Sequence, residues 1–122
     1  MNGSLIADGA NGGYRAGGGA GGGILVACTE LRGSGVMRAS AGLGGDGSGG
    51  GGGGRIAIWE GVAQPYSAYR LKDATVESGL DAFTGTVSVP GGGTVTGIAH
   101  PGEAGTIMYL SMWPQATLII LR

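Results

Sequence analysis

Few side chains in this sequence are equipped for chemistry. There is one histidine, His100, one cysteine, Cys28, and eight carboxylates: Asp8, Glu30, Asp46, Glu60, Asp73, Glu77, Asp81 and Glu103. A lone histidine followed by Pro101 reads as a solvated turn residue. A single cysteine can neither close an internal disulfide nor assemble a zinc site. No serine sits in a strand–turn–helix nucleophile elbow. Paired acids could serve glycoside hydrolysis, but nothing in the spacing selects a pair. Asp46, within Gly44-Gly45-Asp46-Gly47, is one carboxylate where calcium takes six to eight oxygens. The expectation is a chain without catalytic residues, metal or cofactor, and not an enzyme.

Two further signals concern binding. Gly-x-Gly-x-x-Gly occurs at Gly17–Gly22 and Gly42–Gly47, but strands follow it where a dinucleotide site needs a helix, so it reads as turn. Trp59, Tyr66 and Tyr69 cluster, with Trp113 near the end. Rings of this kind stack on sugars, which makes Trp59, Tyr66 and Tyr69 candidate glycan-binding residues. The plainer reading is that Trp59 covers a sheet face and the tyrosines pin a loop.

The elements that must position these residues are built around glycine, which takes 31 of 122 positions. Charged residues make up only 12% of the chain and the formal net charge is −1, whereas disorder needs low hydrophobicity with high net charge. Seven basic residues, one of them lysine, form no stripe along a phosphate backbone, so nucleic acid is not expected as a partner. No apolar run approaches the roughly 20 residues that span a bilayer, so membrane insertion is not expected either. Met1-Asn2-Gly3-Ser4 leads into patterned sequence without the regions of a signal peptide.

Sliding the chain by 32 residues brings Leu5 onto Met37, Ala7 onto Ala39, and Ile24-Leu25-Val26 onto Ile56-Ala57-Ile58. A third copy pairs Thr86-Val87-Ser88 with the leading segment and Thr106 to Leu110 with the trailing one. Each unit reads as short strand, glycine-rich turn, short strand, because runs such as Gly49–Gly54 penalise a helix by about 1 kcal/mol per glycine. The period within the strands is two, putting Ile24, Val26 and Cys28 on one face. Strands this short bury a core only by stacking on equivalents from other units.

The segments Gly17–Ile24, Gly33–Gly42, Gly49–Ile58 and Gly105–Leu110 resemble the glycine-rich repeats of large secreted bacterial β-helix proteins. The resemblance implies an extracellular or cell-surface location. Those relatives are usually much larger, so it also allows a fragment of a longer, polysaccharide-active protein.

The fold expected is all-β: a right-handed parallel β-helix or related glycine-rich β-solenoid of about three repeat units. The alternative is a glycine-rich β-sandwich with packed polyglycine helices. A single domain spans 1–122, with units at about 3–32, 35–64 and 85–116 and a lateral excursion, with room for a helical turn, at 61–82. The function expected is that of a non-enzymatic extracellular structural or adhesive protein that self-associates through its ends into homo-oligomers or filaments. Leu118, Ile119, Ile120 and Leu121 are the candidate self-association residues, and deleting Thr117–Arg122 is expected to abolish assembly. The competing reading is a carbohydrate-binding module.

Overall fold

The computed structural model of the chain describes residues 1–62, 75–95 and 99–112. Among them there are seven strands and no helix: β1 (Ser4–Ile6), β2 (Gly23–Ala27), β3 (Val36–Arg38), β4 (Arg55–Glu60), β5 (Thr75–Glu77), β6 (Thr86–Ser88) and β7 (Thr106–Ser111). The protein is all-β. Leading strands make one sheet in the order β1-β3-β6, and trailing strands a second in the order β2-β4-β7-β5. Both sheets are open, and a closed β-helical coil is not seen among the described residues.

Register follows the repeat. Leu5 pairs with Met37 and Ile24 with Ile56, all in parallel, and the next strands add Val87 and Ile107. Alternation then decides burial: Ile56 and Ile58 of β4 are 1% and 0% exposed, and Met37 of β3 is 0% exposed. These side chains share one cluster with Leu31, Ala39, Phe83 and Val89, so the core takes residues from both sheets. Fully burying one such side chain stabilises by about 1.5–3 kcal/mol.

Between the sheet strands, the glycine-rich chain runs out along one arm and back along another. In the first unit the Gly19 and Gly22 amides donate to Ala10 and Ala7 at 2.8 and 2.7 Å. In the second, Gly51 and Gly54 donate to Gly42 and Ala39, and in the third, Gly102 and Gly105 donate to Gly92 and Val89. Neighbouring units are joined likewise, Gly18 and Gly21 donating to Gly49 and Gly52, and Gly50 and Gly53 to His100 and Glu103. Each set of donors recurs every third residue, the period of a polyproline-II-type chain, where a strand would give every second. Such a chain has no internal hydrogen bonds, so every amide must look to a neighbouring arm.

The arms approach so closely that side chains are excluded. A Cβ at Gly18 or Gly92 would overlap the Gly42 carbonyl, and one at Gly51 the Gly19 carbonyl. The turn joining the arms recurs too: Ala16 donates to Gly13 and Ser48 to Gly45, and the third turn residue has positive φ, 56° at Arg15 and 71° at Gly47.

The excursion adds a strand to the second sheet. Its described part includes a strand, β5, in which Thr75, Val76 and Glu77 pair antiparallel with Ser111, Leu110 and Tyr109, while a helical turn within 63–74 would lie outside the described residues. The outer edge of β7 offers unpaired backbone groups, and a β-branched segment satisfies them.

Candidate functional site

The trailing ends of β4 and β7 hold the first sequence candidate. Trp59 is 5% exposed, packed with Val62, Leu110 and the half-buried Met112. A sugar ring stacks on an aromatic face open to solvent, and that of Trp59 is covered by its neighbours. Tyr66, Tyr69, Trp113 and Leu118 to Leu121 lie outside the described residues.

The fold brings together carboxylates that looked scattered. Glu30, Glu60, Glu77 and Asp81 line, with Ser111, a cleft of about 120 Å³ at one end of the second sheet. Strand register and alternation explain this: Glu60 pairs with Ser111 at the ends of β4 and β7, and Glu77 of the antiparallel β5 stands opposite Tyr109, two residues in and on the same face as Ser111. Two of the acids are already engaged. Glu60 Oε2 accepts the Leu31 amide at 2.8 Å, and Glu30 pairs with Arg32 at 2.5 Å. Among the described residues, no three His, Cys, Asp or Glu side chains are placed to hold a metal ion. Cys28 lies near Glu60, and burial first, then that negative charge, pushes its thiol pKa up, away from the reactive thiolate. His100 is exposed, and it is its backbone carbonyl that accepts a bond, from Gly50.

A set of residues that sequence reasoning passed over ties the first unit to the second. Asn2 Oδ1 accepts the Ser34 amide at 3.1 Å, Asp8 Oδ1 the Ser40 amide at 2.9 Å, and Asn11 Oδ1 the Leu43 amide at 2.9 Å. Each partner lies 32 residues on. Asp8 also takes a forked pair from Arg38, Nε at 2.9 Å and Nη2 at 2.5 Å to Oδ2. The Arg38 bond, then the Ser40 amide, lowers the Asp8 pKa, and Asp8 raises that of Arg38. The signal was available: Asn2, Asp8 and Asn11 are, with Ser4, the polar residues of an otherwise apolar and glycine-rich segment.

Outside the second sheet, Leu25, Ala57 and Met108 stand in register across β2, β4 and β7 and floor an apolar groove of about 310 Å³, with Arg55 and Thr106 beside it. No helix of the described residues is long and apolar enough to cross a membrane. No family model, curated protein or solved structure matches the chain.

Proposed function

We propose that this chain is a non-enzymatic structural or adhesive module that works outside the cell by self-associating at its ends. The observation that carries the reading is the state of the first unit. Leu5 on β1 is 41% exposed, whereas its paired neighbour Met37 is 0% exposed. A core that is closed one strand in and open at the edge is suited to continuation by further protein. The apolar segment Leu118–Leu121 is a second candidate for the same contact.

On the fold itself, the three-residue spacing of the glycine-arm donors supports the glycine-rich sandwich with packed polyglycine helices over a parallel β-helix. The same packing supports a structural role, because arms that exclude a Cβ at positions such as Gly18, Gly51 and Gly92 carry few side chains for chemistry. Glycan binding through Trp59 gains no support from a covered ring, and two of the cleft acids, Glu60 and Glu30, are engaged with backbone and arginine.

Sedimentation velocity of the purified chain over a hundredfold concentration range tests the reading. Concentration-dependent growth beyond the monomer is expected. A single monomeric species throughout would remove the basis for it.

A further inference from the structure

We infer that the first-unit edge, β1 together with β2, is the contact surface for a second copy of this chain, which joins it in two-fold antiparallel pairing and closes the assembly as a dimer. The inference rests on the self-association reading and specifies its surface and symmetry.

The inner side chains of this edge are those of an interrupted core. On β2, Ile24 and Val26 are only half-buried, while Ile56 and Ile58, which pair with them on β4, are fully buried. The backbone is interrupted at the same place. Ala7 donates inward to Arg38 at 2.8 Å and Cys28 inward to Trp59 at 2.9 Å. Alternation along a strand therefore turns the amides of Ser4 and Ile6, and of Leu25 and Ala27, away from the molecule. Two strand edges from two stacked sheets, about 10 Å apart, are left open side by side. A second copy presents the same two edges at the same separation. A two-fold axis through both sheets runs β1 against β1 and β2 against β2, and it packs Leu5, Ile24 and Val26 against their equivalents.

At the other end of the molecule the edge of the second sheet is already taken, which disfavours head-to-tail growth and favours closure at two. There, β5 lies antiparallel on β7 and covers the edge that a head-to-tail neighbour would need. In the returning arm, Pro101 stands 51 residues after Gly50, the offset that pairs Ile56 with Ile107. Gly50 donates onward to His100 at 3.1 Å, but proline has no amide to donate. A strand laid over one edge and a proline in the arm are the means by which proteins stop edge growth. The two-fold also sends the glycine arms of the two copies to opposite ends, so their packed backbones need not meet.

The decisive variant is Leu25→Pro, which removes an outward amide and leaves the bonds between β2 and β4 in place. Sedimentation equilibrium should show a dimer in the unsubstituted chain. The dissociation constant should rise at least about tenfold in the variant, because the two-fold repeats the loss. Circular dichroism should be unchanged. Val76→Pro, on β5, and deletion of Thr117–Arg122 should both leave the dimer intact. Hydrogen exchange of the unsubstituted chain gives a readout that needs no variant. The amides of Ser4, Ile6, Leu25 and Ala27 should slow as concentration rises, and those of β5 should not. A dimer indifferent to Leu25→Pro, open filaments, or assembly lost only on deleting the tail would overturn this surface while leaving self-association standing. A chain monomeric at every concentration would overturn both.

Discussion

At the residue scale, glycine serves this protein in two physically different ways, and substitution separates them. At Gly47 a Cβ would meet nothing within 4 Å, and the only demand is the positive φ of 71°. Arg15 meets the same demand at the matching turn of the first unit, its guanidinium 5.2 Å from the Tyr14 ring centroid. Gly47→Ala should therefore destabilise by about 1–2 kcal/mol. Gly51→Ala drives a Cβ into the Gly19 carbonyl between packed arms, where neither backbone can give way. Thermal denaturation should place it far below Gly47→Ala, and equal melting temperatures would contradict the packed-arm account. Asp8 supplies a pH dependence. Its folded-state pKa is lowered below the ordinary 3.8 by Arg38 and the Ser40 amide, so its contribution to stability is present above that value and is lost as pH falls through the folded pKa. Asp8→Asn should flatten the acid limb of a stability–pH profile below about pH 4, with no change in slope at neutral pH. Added salt should shrink the difference, because the pair is solvent-exposed.

At the element scale, β4 is the strand on which the core depends. It lies between β2 and β7 and carries two of the three large side chains that are fully buried, Ile56 and Ile58. Ile58→Ala should cost about 2–5 kcal/mol in chemical denaturation. Val76→Ala, on the exposed face of β5, should cost under about 1 kcal/mol. Near-equal losses would mean that the core is not centred on β4. The staples from Asn2, Asp8 and Asn11 act on the same scale. A three-residue backbone period leaves some amides of the second unit facing the first with no carbonyl opposite, and side-chain oxygens fill that gap for Ser40 and Leu43. In the third unit the position matching Ser40 is Pro90, which has no amide to satisfy.

For the whole molecule, stability and assembly are linked. If the first-unit edge is buried only in the dimer, the folded state gains free energy by mass action as concentration rises. The melting temperature of the unsubstituted chain should climb with protein concentration, and that of Leu25→Pro should stay flat. Parallel slopes for the two proteins would show that the open edge is not what association covers.

The sequence by itself determined the repeat and therefore the pairing. Apolar triplets 32 residues apart can be buried together only if their strands lie side by side in register, which is how Leu5 meets Met37 and Ile24 meets Ile56. It also determined the absence of helix from the glycine-rich described residues, because runs such as Gly49–Gly54 favour extended chain. The tertiary structure alone decided three things. One was how glycine arms pack, since a glycine run has no side-chain pattern to distinguish a two-residue from a three-residue period. Another was the fate of the Glu30, Glu60, Glu77 and Asp81 carboxylates, which line one cleft because strand pairing brings distant parts of the chain together. The last was that Thr75–Glu77 covers β7. Its partner is chosen by which strand edge is left open after the other units have paired, and no local propensity encodes that.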